Sequence, residues 1–216
     1  MNLDEGILLI DKPSGITSFD VIRNLRRAYS TAHDGAKAPK MGHAGTLDPL
    51  ATGLMILGVG SGTKQLTELV KLDKEYIADI LVGESRTTGD MEGEVVESKE
   101  IAEIFSEEKI SAILKSMIGT LILPVSAYSA IKKDGVPMYK RARKAALSGQ
   151  QLGDDELPVR DMKVYEAELL ETRLDIIHDI KRQVVKVRFK VASGVYIRSL
   201  AEEFGRRLGS YPACLA

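Results

Sequence analysis

Apolar runs broken by glycine and proline dominate the first quarter of the chain, and apolar–polar alternation dominates its last quarter. Residues 7–10 form a continuous apolar run of strand length closed by Lys12-Pro13-Ser14-Gly15, which predicts a short buried strand and a turn. Thr17 or Ser18 can then cap a helix, with Asp20 near its positive end. Val21, Ile22, Leu25, Ala28 and Tyr29 share one face of that helix, while Arg23, Arg26 and Arg27 point elsewhere. Residues 30–42 are polar and punctuated by glycine and proline, as in a loop. Residues 54–59 read as a core strand, 76–82 as another, and 106–117 as a helix with Ile110, Ile113, Leu114 and Met117 inward. The clearest strand is 184–191, with Val185, Val187, Phe189 and Val191 on one side and Lys186, Arg188 and Lys190 on the other. Residues 198–208 read as a helix. Strands and helices do not alternate in βαβ order, so the pattern predicts an α+β fold with a mainly antiparallel sheet.

Composition narrows the class without naming a function. A chain of 216 residues, 44% of them hydrophobic, can bury a sizeable core in one large domain or two small ones. The N-terminus has no basic region and its apolar run stops at Asp11, unlike a signal peptide. No continuous apolar stretch is long enough for a membrane span. Cys214 is the single cysteine and the three histidines are scattered, so neither an intrachain disulfide nor a structural metal is expected. The cytoplasm is the default compartment. A net charge of −1 is uninformative, but the charges are segregated. Residues 84–108 carry nine acids and two bases, whereas 132–144 carry six bases and one acid. One face should repel phosphate and another attract it, unless Lys140 to Lys144 are simply the solvated side of a short helix.

Candidate chemistry centres on Asp48, in the run Gly42-His43-Ala44-Gly45-Thr46-Leu47-Asp48-Pro49-Leu50-Ala51-Thr52-Gly53. Proline pushes the residue before it toward an extended conformation, and the glycines leave room for close approach. A lone carboxylate on such a loop is a candidate nucleophile or base. Equally, Asp followed by Pro is a common helix start, with Asp48 as the cap and Pro49 at the first helical position. The run Gly58-Val59-Gly60-Ser61-Gly62-Thr63-Lys64 looks like a phosphate loop, but its order is Gly-Thr-Lys where the Walker pattern needs Gly-Lys-Ser/Thr, which argues against ATP.

Residues 42–53 resemble the catalytic signature of the TruB family of tRNA pseudouridine-55 synthases, G-H-x-G-T/A-L-D-P-x-A-T-G. Four further stretches are similar to the family's motifs in the same order. They are Gly6 to Ser18 with its Asp11-Lys12-Pro13, Arg86-Thr87-Thr88-Gly89-Asp90-Met91-Glu92-Gly93, Tyr128-Ser129-Ala130-Ile131-Lys132 on through Arg143, and Ser193-Gly194-Val195-Tyr196-Ile197-Arg198-Ser199-Leu200. Any one could be coincidence; five in order is specific.

The resemblance implies the pseudouridine synthase fold, a mixed, mainly antiparallel central sheet flanked by helices with a long active-site cleft, over a single catalytic domain at 1–216. It implies an isomerase acting on the T-loop uridine of tRNA after base flipping, with no cofactor, no metal and no protein partner, as a cytoplasmic monomer. Asp48 is then the catalytic aspartate and Arg198 its cationic partner. Tyr196 is a second active-site tyrosine, and Tyr76 stacks on the target base. His43 fills the space the base vacates, Lys64 lies near the active site or the RNA backbone, and Asp90 has a structural or RNA-positioning role. Isomerising uridine involves no redox change and loses no group, so a carboxylate suffices as base or nucleophile. The family normally continues with a Leu-x-Arg segment and often a PUA domain, neither of which is expected in these 216 residues. Alternatives are a tRNA-folding chaperone binding the T-arm, a guide-RNA-dependent catalytic subunit, and, more distantly, an aspartate-dependent hydrolase.

Overall fold

Backbone pairing builds a three-stranded sheet early in the chain, a five-stranded sheet from the remainder, and two small hairpins. The structure is a computed structural model and describes residues 5–101, 103–150 and 152–216. It divides into two compact units between Leu72 and Asp73.

In the first unit, β1 (Gly6–Lys12) pairs antiparallel with β3 (Gly53–Val59), which pairs antiparallel with β2 (Met41–His43). Leu8 faces Leu57 and Ile10 faces Met55 across β1 and β3, so these side chains share one face of the sheet. With Val59, Val21 and Ile22 they form an apolar core against helix α1 (Ser18–Ala32). The strand at 7–10 is therefore covered on one side, not buried throughout: Leu9 is 67% exposed. Of the two candidate caps, Thr17 is the one used, through a reciprocal capping box with Asp20.

The glycine-rich run after β3 folds as a 3-10 turn (Gly60–Lys64) leading to α2 (Leu66–Leu69). Its glycines serve packing. A Cβ on Gly62 would sit 2.0 Å from the Gly6 carbonyl oxygen, and one on Gly58 would sit 2.8 Å from that of Gly62. The Ser61 N–H, which a phosphate loop would aim at a ligand, donates instead to the Glu5 carboxylate at 3.3 Å. Hydrogen bonds from Ser61, with a smaller contribution from the Lys64 charge, hold the Glu5 carboxyl below its usual range.

The second unit is a five-stranded antiparallel sheet in the order β12 (Ala213–Leu215), β4 (Lys74–Val82), β11 (Ile180–Val191), β10 (Val159–Ile177) and β7 (Gly119–Pro124). Two small hairpins stand apart from it: β5 (Glu84–Arg86) with β6 (Val95–Ser98), and β8 (Lys132–Lys133) with β9 (Val136–Pro137). Among the described residues, the one parallel pairing is a bridge between Asp90 and Leu215. One face of the sheet buries Ile80, Val82, Val185, Val187, Phe189 and Val191 against α3 (Glu107–Ser116) and α5 (Ile197–Arg207). Ile110, Leu114 and Met117 are fully buried beneath it, as their periodicity predicts.

On the other face, the cations that alternate along β11 meet acids on β10. Lys190 lies opposite Glu166, Arg188 opposite Glu168, and Lys186 close to Glu171, as ion pairs of 3.3, 2.5 and 3.4 Å. Their charge is thus matched within the sheet, and at this exposure each pair stabilises weakly. The β10–β11 turn, His178-Asp179, has both φ values positive (51° and 62°), the geometry of a two-residue hairpin loop. The basic segment places Lys140, Arg141, Arg143 and Lys144 on α4 (Met138–Leu147), whose buried side carries Met138 and Ala142.

Candidate active site

Asp48 lies in backbone without regular structure between β2 and β3. No helix begins at Pro49, so the capping role is excluded. The reason is visible in its hydrogen bonds: the Pro49 carbonyl accepts from the Lys12 ammonium at 3.1 Å and from Gly15 N–H at 2.9 Å, partners that a helical turn would not leave in place. Lys12, at the end of β1, is fully buried, and its ammonium also donates to the carbonyls of Pro13 (2.9 Å) and Ile16 (2.8 Å). On the other side of Asp48, Leu47 exchanges two hydrogen bonds with the Ser18 hydroxyl. Gly45, at φ +117°, turns the chain between His43 and these anchors. The Asp48 carbonyl closes a tight turn by accepting from Ala51 N–H at 3.1 Å. Asp48 itself is half-buried.

His43 ends β2 opposite Leu57. Its Nδ1 is buried with no hydrogen-bond partner among the described residues. An orphaned ring nitrogen of this kind usually reports a ligand contact or a water. Among the described residues, no group of three or more His, Cys, Asp or Glu side chains could hold a metal ion. Lys64 is exposed at the end of the 3-10 turn.

In the second unit, Arg198 is the second residue of α5 and only 6% exposed, against the ordinary expectation for an arginine in a first helical turn. Its guanidinium donates to the Thr88 carbonyl at 2.8 Å and the Tyr128 carbonyl at 3.2 Å. Two of the sequence motifs therefore meet at one side chain. Gly89 lets this happen: at φ +77°, a Cβ there would lie 3.3 Å from Cβ of Arg198. Asp90, 5% exposed, accepts from the Thr88 hydroxyl and, at 3.1 Å, from Glu92 N–H, so it fixes the turn on which Arg198 rests. Tyr196 is the residue before α5, half-buried against the core. Tyr76 lies on β4 opposite Phe189, also half-buried at the edge of the core.

Two open depressions carry cations. One, of about 490 Å³, is lined by Lys140, Arg141, Lys144 and Gln150. The other, of about 600 Å³ in the first unit, is lined by Arg26, Lys37 and Lys40. Part of the basic segment is engaged internally, since Arg141 pairs with Asp134 at 3.0 Å and Lys133 donates to the Glu156 carbonyl at 2.6 Å. Glu84 and Asp90 are buried and so drop out of the acidic face. Sequence reasoning missed Lys12 and Ser18. Both lie in the Gly6 to Ser18 run that resembles a family motif, but nothing in that run assigned either of them a role.

This fold is that of the pseudouridine synthases. A solved Cbf5-Nop10-Gar1 complex contains a chain 25% identical that superposes with a TM-score of 0.65, covering 98% of this chain and 46% of that one. A chain of an H/ACA RNP bound to a substrate RNA containing 2′-deoxyuridine shares the fold at 24% identity and a TM-score of 0.62, with 98% and 45% covered. The chain belongs to the TruB family of pseudouridylate synthases: residues 30–197 match the family's N-terminal domain. It is similar to the tRNA pseudouridine synthase B of Corynebacterium diphtheriae (40% identical over 208 residues) and of Fusobacterium nucleatum (41% over 212 residues). The alignments cover 95% and 98% of this chain but 63% and 66% of those relatives, so the chain spans about two thirds of their length.

Proposed function

We propose that this chain isomerises the T-loop uridine of tRNA to pseudouridine, with Asp48 as the catalytic group. The observation that carries the reading is the anchoring of the Asp48 loop. A half-buried carboxylate sits between two peptide groups pinned by Lys12, Gly15 and Ser18, in a sequence run shared with the family's catalytic signature. Such fixation of the backbone serves a side chain that must meet a reacting atom. The names of the relatives support tRNA as the substrate.

The chemistry breaks the bond from ribose C1′ to N1 and forms one from C1′ to C5. The C5 proton leaves and N1 gains one, so composition is unchanged. Asp48 acts ionised, as base or nucleophile. In this reading Arg198 supplies the positive charge that keeps it so, and its fork geometry suits a carboxylate. Tyr76 stacks on the detached uracil, a contact worth about 1–3 kcal/mol for a base on an aromatic ring. Tyr196 lies by the same ring. His43, with its unpartnered Nδ1, meets a nucleotide next to the flipped base. Lys64 and the two cationic depressions contact phosphates, and Asp90 holds the Arg198 turn. The enzyme works in the cytoplasm as a monomer, with tRNA as its partner.

The test is pseudouridine mapping in an unmodified tRNA transcript, by carbodiimide adducts and primer extension, with wild type and Asp48→Asn. The expected result is a stop at the T-loop uridine with wild type alone. A folded wild type that binds the transcript and yields no stop would support T-arm binding without turnover.

A further inference from the structure

We infer that Ser18 is a positioning residue for Asp48, resting on the reading of Asp48 as the catalytic group. Ser18 is the first residue of α1 and 1% exposed. A serine there would ordinarily turn its hydroxyl to its own helix end. Here Thr17 and Asp20 already form the cap, and the Ser18 hydroxyl is directed across the unit to residue 47. Its Oγ accepts from Leu47 N–H at 2.9 Å and donates to the Leu47 carbonyl at 3.0 Å. One hydroxyl has one proton and two lone pairs, so this uses its donor and one acceptor on a single residue.

The consequence falls on Asp48. The Leu47 carbonyl belongs to the same planar peptide unit as the Asp48 nitrogen, so holding that oxygen sets the plane from which Asp48 departs. With Leu47 N–H held as well, both flanks of residue 47 are fixed. On the far side, the Pro49 carbonyl is held by Lys12 and Gly15, and its ring fixes φ. The Asp48 Cα therefore hangs between two anchored neighbours, and the direction of its carboxylate follows. Without Ser18, one anchor is gone, and the peptide groups of Leu47 lose their partner in a segment that has no ladder to supply another. Lys12 and Gly15 hold only residue 49, which leaves the 47–48 plane free to rock. A displacement on the order of 1 Å at a reacting group lowers the rate by about a hundredfold.

The test compares Ser18→Ala, Ser18→Cys and Thr17→Ala in the full chain. Thr17→Ala weakens the same end of α1 without touching residue 47, so it measures what mere helix loosening does. Cysteine keeps the shape and folds where alanine leaves a void, but its thiol is a weak donor and acceptor. Single-turnover pseudouridine formation at saturating transcript is expected to fall about ten- to a hundredfold in both Ser18 variants. The dissociation constant for the transcript should change less than about threefold, and Thr17→Ala should keep the wild-type rate. Deuterium exchange over residues 44–52 is expected to quicken about tenfold in the Ser18 variants, with 19–32 unchanged.

Wild-type rates in both Ser18 variants, or an equal loss in Thr17→Ala, would overturn the role. So would a loss seen only as weaker transcript binding. An inactive wild type would defeat the proposed function by itself. The exchange measurement still decides the anchor, because unaltered exchange over 44–52 overturns it without reference to activity.

Discussion

The Lys12 ammonium lies 3.1 Å from the Pro49 carbonyl oxygen, a contact across 37 residues that ties the end of the first strand to the residue after Asp48. The same ammonium serves two more carbonyls while fully buried. Replacing it with methionine keeps the stem and removes every donor. Lys12→Met should lower stability by roughly 3 kcal/mol, since buried acceptors lose a charged partner. Urea unfolding of wild type and variant measures this. A change under about 0.5 kcal/mol, the scatter of ordinary surface substitutions, would mean that the clamp is not needed.

Gly62 is a second point of close contact. Gly62→Ala would force a Cβ to within 2.0 Å of the Gly6 carbonyl oxygen, so β1 or the 3-10 turn must shift. The expected loss is about 1–3 kcal/mol or more by urea unfolding. A thermal scan with ATP should show no shift in wild type, because Glu5 already occupies the Ser61 N–H. Stabilisation by ATP would restore the phosphate-loop reading.

Arg198 forks between two carbonyls, a task that a lysine cannot copy. Arg198→Lys should slow single-turnover isomerisation by about a hundredfold, the usual scale for a lost electrostatic partner. It should also quicken deuterium exchange over 86–93. A wild-type rate would remove Arg198 from the proposed chemistry.

Cys214 is fully buried on β12, and burial, with the Glu84 charge adding to it, pushes its thiol up to about 12. The unfolded thiol titrates near 9.0, so the unfolded chain releases its proton first and stability falls as pH rises from there toward 12. The slope from this group is at most about 1.4 kcal/mol per pH unit. At pH 8, a thiol reagent should react only after denaturant is added. Prompt labelling of the folded protein would contradict the burial. Cys214→Ala should flatten the alkaline fall in stability.

What the sequence made legible was local or periodic. The helix start at Thr17 or Ser18, with Asp20 near it, and the alternation of Val185, Val187, Phe189 and Val191 depend on neighbours a few residues apart; the structure makes Thr17 the cap and buries all four apolar residues. The long strand β10 escaped notice because register shifts near Val164 and Leu169 break its alternation. Its glutamates find their partners on β11 only once the register is known. The helix allowed at Pro49 failed for a similar reason. The partners that take its carbonyl, Lys12 and Gly15, lie more than thirty residues earlier. Motif resemblance named Asp48, Tyr196 and Arg198 without any of this. What it could not show is which backbone groups hold them, because hydroxyl–carbonyl contacts such as Ser18 with Leu47 leave no mark in spacing or hydropathy.

The most direct measurement is release of tritium from a tRNA transcript carrying 5-³H uridine, since joining C1′ to C5 expels the C5 hydrogen. Wild type should release one tritium per transcript and none when the T-loop uridine is replaced by cytidine. Asp48→Asn should fall below about one thousandth of the wild-type rate while still binding the transcript. Release at a comparable rate from Asp48→Asn, or from the transcript lacking that uridine, would contradict the assignment of Asp48 and of its substrate.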